Sequence, residues 1–188
     1  MLRALVVLLA VSWIPGNAGA QELRPNMLVS TNWLALHGWS RSLVVLDVAA
    51  SHDEYAAGHI PGARFVPMGD LVATVDGTPN EVPRVDQLQR LFERLGIGNR
   101  ARVIVYARDP LHVARLYFTL DYLGHGDRVA LLDGGFSKWK AERRPISTKV
   151  ADAGPAIFET RVRPKAIVRL AAMMTGRTSS GTETRGFR

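Results

Sequence analysis

The sequence predicts an α/β fold in which a parallel β-sheet is covered by helices on both faces. Three observations predict it. Apolar runs of strand length alternate with segments of helical periodicity between Leu43 and Pro145. The runs are continuous rather than alternating, which suits strands buried on both faces. The connections are short, and most carry glycine or proline where an element must end. With 188 residues, 47% hydrophobic and 22% charged, the chain is long enough for one domain with a real core.

Leu43-Val44-Val45-Leu46-Asp47-Val48 reads as a buried strand with a carboxylate at its end. Ser51, with Glu54 three residues on, is a capping-box pattern for a short helix through Ala57, and Gly58 ends it. Pro61-Gly62 marks a turn before a short strand, Ala63 to Val66. Val85, Leu88, Leu91, Phe92 and Leu95 recur at helical spacing, with Gly96 as the stop. Val103 to Tyr106 is the next strand. Leu111 to Leu123 reads as a helix with Leu116, Leu120 and Leu123 on one face, closed by Gly124. Val129 to Leu132 is a strand. Asp133-Gly134-Gly135 then turns into a helix carrying Phe136, Trp139 and Lys140, which Pro145 stops. In parallel sheets of this kind, chemistry collects at the carboxyl ends of strands. Two such ends stand out: Asp47-Val48 and Tyr106-Ala107.

The two ends of the chain differ from the middle. Arg3, the apolar run Leu5 to Val11, the break at Pro15-Gly16 and the small residues Ala18-Gly19-Ala20 have the layout of a secretory signal over residues 1–20. This predicts export to a periplasmic or extracellular compartment. The run is short of the ~20 residues that a membrane span needs, and no later run is long and apolar enough. Residues 150–188 read as a linker and a basic tail, with Pro155, Pro164 and a Gly/Ser/Thr-rich run from Thr175 to Thr184. Ile167 to Met174 has room for one or two helical turns. Phe158 stands there as an isolated apolar residue. The net charge of +7 belongs to the tail: Arg161 to Arg188 holds seven basic residues against Glu183, while residues 21–160 hold sixteen of each sign. The tail has no aromatic residue but Phe187, so it reads as solvated rather than as a nucleic-acid binder.

The chain has no cysteine. Disulfides, thiolate metal sites and thiol nucleophiles are therefore excluded. His37, His52, His112 and His125 lack metal-site spacing, so no metal and no cofactor is expected. Gly134-Gly135 lacks the further glycines and the lysine of a phosphate-binding loop and reads as a packing feature. Asp47 reads as a capping or loop-ordering carboxylate. Arg108 and Arg115 are candidates to meet an anion at the domain face, Arg115 rather as an ion-pair partner.

Four patches in order resemble the rhodanese family: Leu46-Asp47-Val48; Asp53 to Ala63, which contains Gly58-His59-Ile60-Pro61-Gly62; Val103 to Tyr106 with the following loop and Ala114-Arg115; and Leu132-Asp133-Gly134-Gly135-Phe136 through Trp139. The resemblance implies a rhodanese-like, five-stranded parallel sheet over residues 21–149. It implies a structural role for His59, holding the turn before Pro61. It also implies sulfurtransferase activity carried by a cysteine at the end of the fourth strand, where this chain has Ala107. The position two residues after Asp47, often arginine in the family, is Ala49.

The loop Ala107-Arg108-Asp109-Pro110-Leu111-His112-Val113 opposes sulfur transfer in three ways. Alanine is no nucleophile, Pro110 removes an N–H donor, and Asp109 puts negative charge where a sulfur anion needs positive potential. Val29-Ser30-Thr31, Trp33-Leu34 and Gly124-His125 are similar to the amino-terminal, cysteine-free domain of tandem thiosulfate and 3-mercaptopyruvate sulfurtransferases. Phe158 to Pro164 is similar to the linker that leads to their catalytic domain, and the resemblance stops after Pro164. This implies an inactive half whose partner is a second rhodanese domain. Two other readings stay open: a subunit active only with a separate catalytic half, and a non-catalytic binding module.

Overall fold

In the computed structural model, residues 27–166 other than Trp39 and Arg41 are described. The signal-like segment 1–20 and the tail beyond Ala166 lie outside the described residues. In chain order the elements are β1 (Leu28–Val29), α1 (Thr31–His37), β2 (Leu43–Ala49), α2 (His52–Ala56), β3 (Arg64–Pro67), β4 (Ala73–Val75), β5 (Thr78–Glu81), α3 (Val85–Arg94), β6 (Arg102–Ala107), α4 (Pro110–Tyr122), β7 (Val129–Leu132) and α5 (Gly135–Ala141). Five of them form one parallel sheet in the order β1-β7-β6-β2-β3, and β4 and β5 make a separate antiparallel hairpin.

Strand β2 is buried from Val44 to Ala49, as a central strand covered on both faces must be. Its side chains alternate between two cores. Val44, Leu46 and Val48 pack with Leu88, Leu91 and Phe92 of α3 and Leu116 and Leu120 of α4. Val45 packs on the other face with Leu34 of α1 and Phe136 and Trp139 of α5. The predicted elements lie within two residues of the observed ones, except that α5 ends at Ala141, ahead of the stop expected at Pro145. The Ser51 hydroxyl accepts from the Glu54 N–H at 3.2 Å, the expected N-cap, whereas the Glu54 carboxylate reaches one residue further back, to the Ala50 N–H at 2.9 Å, instead of the Ser51 N–H of a capping box.

Three features have no sequence-level prediction behind them. Strand β1 has two residues and α1 seven, too few for a periodic signal, although Ser30 caps α1 by accepting from the Trp33 N–H at 3.1 Å. The β4–β5 hairpin turns at Asp76 and Gly77, both with positive φ. The third is a strap. Residues 146–163, placed by sequence in the end of the domain and its linker, run back across it. Ser147 and His59 exchange backbone hydrogen bonds of 2.9 Å. Phe158 has no exposed surface and sits 5.3 Å, ring centre to ring centre, from both Phe92 and His125. The Glu159 N–H donates to Asn99 Oδ1 at 2.7 Å. The N–H groups of Arg161 and Arg163 donate to the Leu123 and Tyr122 carbonyls at 2.8 and 2.7 Å. The boundary expected at residue 149 therefore falls inside the packed unit, and Phe158 is a core residue. Gly124 shows how close the strap lies: its φ is +85°, and a Cβ there would stand 2.5 Å from the Arg161 carbonyl oxygen.

Phe158→Ala removes a fully buried ring that the strap alone supplies. It is expected to lower unfolding free energy by about 3–5 kcal/mol, read from urea denaturation. Amide exchange at Glu159 and Arg161 is expected to accelerate in the same variant.

Candidate functional site

The chain leaves β2 toward β3 in one direction, and leaves β6 toward β7 in the other. Ligands of open α/β sheets bind in the crevice at such a switch point, beyond the carboxyl ends of the two strands. Here Asp47 lies opposite Tyr106, and Val48 opposite Ala107. Asp47 is fully buried, so it is part of the strand's interior contacts and not a cap. The Tyr106 hydroxyl donates to Asp47 Oδ2 at 3.1 Å and accepts from the Ile60 N–H at 3.0 Å. One hydroxyl thus ties β6 to β2 and to the loop before β3.

Arg108, just past β6, folds back into the crevice. Its Nη2 donates to the Gly58 carbonyl at 2.7 Å. Its Nη1 lies 3.5 Å from Glu54 Oε1 and 3.9 Å from Asp47 Oδ2. Its guanidinium carbon stands 4.6 Å above the centre of the Phe136 ring, within cation–π range. The residue expected to face an anionic substrate therefore donates to a carbonyl and lies over a ring, with two carboxylates at ion-pair distance, while its Nη1 and Asp47 Oδ1 are buried without a hydrogen-bond partner among the described residues. Burial lifts the Asp47 carboxyl to about 6, and Glu54 adds to this. The Tyr106 hydrogen bond and the charges of Arg108 and His59 pull the other way. Burial and the neighbouring Asp47 push the Tyr106 phenol far up, so it stays an O–H donor.

The His59-Ile60-Pro61-Gly62 segment shapes one wall. The Ala63 N–H donates to the Ile60 carbonyl at 2.9 Å, closing a turn with Gly62 at φ +77°, the conformation that glycine allows after proline. His59 is fully buried and stacked on the Tyr55 ring at 3.8 Å. Its ring nitrogens lie 3.0 Å from the Tyr55 carbonyl and 3.1 Å from the Lys149 carbonyl. It ties α2 to the strap.

The stretch from Ala107 to Val113, expected as a loop, is shorter in the structure. Only Arg108 and Asp109 connect β6 to α4; Pro110, Leu111, His112 and Val113 form the first turn of the helix. Pro110 occupies the first helical position, where an N–H would lack an intrahelical acceptor in any case. Asp109 is the N-cap and accepts from the Leu111 N–H at 2.8 Å. Its carboxylate takes the place at the helix N-terminus that an anion would use. Ala107 lines an open cleft of about 460 Å³, together with Leu28, Pro110, Val113, Leu131 and the Gly134-Gly135 turn. Gly134 has φ +72°, and a Cβ there would stand 2.4 Å from Lys138 Cδ, which accounts for the packing role expected of it.

Arg115 is not in an ion pair of this crevice. It donates to the carbonyls of Leu71, Asn80 and Glu81 at 2.9, 3.0 and 2.7 Å, holding the hairpin to α4. Among the described residues no three His, Asp or Glu side chains converge as metal ligands. Sequence pattern marked Tyr106 only as part of a strand end, and Glu54 only as a capping residue. The one usable signal was a tyrosine closing an apolar strand predicted to pair beside the strand of Asp47.

Asp47 titrates near 6 in the fold against an ordinary 3.8. A raised carboxyl binds its proton more tightly when folded, so its contribution to stability is full below the unfolded value and is lost as pH rises through the folded one. Between about pH 4 and about pH 7.5 the wild type is expected to lose on the order of 2 kcal/mol relative to Asp47→Asn. Parallel urea titrations across that range measure it; two parallel stability–pH curves would exclude it.

Residues 30–142 match the rhodanese-like domain family. The chain is 33% identical over 145 residues to the sulfur carrier protein TtuD of Thermus thermophilus, covering 76% of this chain and 50% of that protein. It is 31% identical over 146 residues to the thiosulfate sulfurtransferase of Rattus norvegicus, covering 70% of this chain and 49% of that protein. The chain thus spans about half the length of these curated relatives. The crystal structure of SseA from Escherichia coli, described there as a 3-mercaptopyruvate sulfotransferase, superposes with a TM-score of 0.71 at 23% identity. It covers 81% of this chain and 62% of that one, a likeness of fold. With the family match spanning more than half of the sequence, and the sheet and its turn motif in place, the chain belongs to the rhodanese-like domain family.

Proposed function

We propose that this chain is the non-catalytic rhodanese unit of an exported protein of the thiosulfate/3-mercaptopyruvate sulfurtransferase type, inactive in sulfur transfer by itself. The observation that carries this reading is the crevice at Ala107. Sulfur transfer requires a thiolate that attacks the donor's outer sulfur and holds it as a persulfide. At the end of β6 stands Ala107, and the chain has no cysteine to replace it. The cation of the crevice, Arg108, is engaged with Asp47, Glu54, Gly58 and Phe136, and Asp109 occupies the N-terminus of α4.

The partner in this reading is a second rhodanese domain that supplies the cysteine. The strap supports it. Its backbone is fixed on Leu123 and Tyr122, so a segment joined after residue 166 would leave from a defined point. Export rests on the signal-like residues 1–20.

Incubated with thiosulfate and cyanide, the purified chain is expected to form no thiocyanate above the uncatalysed rate. Ala107→Cys is expected to stay at that same baseline, because Asp109 and the engaged Arg108 leave the new thiol without positive potential. Thiocyanate colorimetry reads both, and turnover by the unaltered chain would overturn the proposal. Amino-terminal sequencing of the protein secreted by an expressing cell is expected to begin at Gln21; a retained Met1 would refute export by cleavage.

A further inference from the structure

Another cavity lies at the opposite end of β6 from Ala107. It has a volume of about 730 Å³ and is lined by Asn99, Arg100, Gly124, His125, Asp127, Arg128, Glu159 and Arg161. It opens near the amino ends of β6 and β7. Three separate segments bring an arginine to it: the turn before β6 (Arg100), the turn before β7 (Arg128) and the strap (Arg161).

The backbone that carries these arginines is held in place. The Ala101 N–H donates to the Gly98 carbonyl at 2.9 Å, and the Arg128 N–H to the His125 carbonyl at 3.0 Å. The Arg161 N–H donates to Leu123, with Gly124 too close to admit a side chain. No described residue hydrogen-bonds or ion-pairs with the guanidinium groups of Arg100, Arg128 or Arg161, whereas Arg163 beside them is engaged by Asp121 at 3.0 Å and Asp127 at 3.3 Å. The cleft's two carboxylates are Asp127, which Arg163 offsets, and Glu159. His125 has its Nε2 on the Ala101 carbonyl at 2.9 Å, and burial holds its imidazole below the ordinary histidine range. The cleft therefore has three arginines with exposed side chains against two carboxylates, one of them paired with Arg163, and a guanidinium suits bidentate contact with an oxyanion.

We propose that this cleft binds a small polyanion, a molecule carrying two or more neighbouring phosphate or carboxylate groups, at a site separate from the crevice of the rhodanese fold. Arginines from three segments suit a ligand with more than one anionic group. The site forms only with the strap in place, because Glu159 and Arg161 belong to it.

Pyrophosphate and citrate titrated separately into the full chain, at constant ionic strength, test this by two-dimensional NMR. Saturable shifts confined to residues 98–101, 124–128 and 159–163 are expected for at least one of them, with Kd on the order of 0.1–1 mM. Arg128→Gln and Arg161→Gln are each expected to weaken it about tenfold. Arg90→Gln, on an exposed arginine of α3 paired with Asp86, is expected to leave it unchanged. Both site variants alter exposed side chains, and an unchanged urea midpoint verifies their folding. The tighter of the two probes identifies the anionic group preferred. Linear, non-saturating shifts for both probes would overturn the proposal, as would equal affinity in the Arg128 and Arg161 variants.

Discussion

The tertiary structure turns on the Tyr106 hydroxyl. It donates to Asp47 and accepts from the Ile60 N–H, so three separate chain segments meet at one oxygen inside the sheet. Burying Asp47 in a central strand is costly unless its charge is answered or its proton retained. Tyr106 and Arg108 answer it in part, and burial raises the carboxyl to about 6 for the remainder. The same set orders the Gly58 to Ala63 turn, because Arg108 holds the Gly58 carbonyl while Tyr106 holds the next loop amide. Asp47 Oδ1 and Arg108 Nη1 already lack a hydrogen-bond partner among the described residues, and removing one member would leave a further buried polar group unpaired, the expensive case for a hydrogen bond.

That arrangement also explains what the crevice does. The switch point of a parallel sheet exposes strand ends and helix N-termini, and is the natural place for a ligand. Here the protein's own groups occupy it. Arg108 fills the gap between β2 and β6, and Asp109 caps α4. The opposite end of the strands differs, with Arg100, Arg128 and Arg161 among the residues lining an open cleft. The strap connects the two ends, pairing with His59 near one and carrying Arg161 to the other.

Much of the fold was legible from local pattern. The apolar runs of β2, β6 and β7, the stops at Gly58, Gly96 and Gly124, and the cap at Ser51 each follow from the residues beside them. The alternation of strands and helices made the sheet parallel. Short elements were not legible: two residues of β1 and seven of α1 are held by the sheet edge and by α5 rather than by propensity. The strap was misread because its composition is that of a linker. Phe158 is alone in its stretch, and its partners Phe92 and His125 are distant in sequence.

For the site, sequence alone determined the family pattern and the absence of a thiol, since both depend on which residues are present and in what order. It also placed Asp47 and Ala107 at strand ends, which periodicity supports. Only the tertiary structure decided that Asp47 is buried, that Arg108 turns inward rather than toward solvent, and that Pro110 starts a helix instead of breaking a loop. Those outcomes depend on register and packing. Asp47 meets Tyr106 because β2 pairs with β6 in one particular alignment, and a charged side chain takes the direction in which carboxylates, a carbonyl and a ring face already await it.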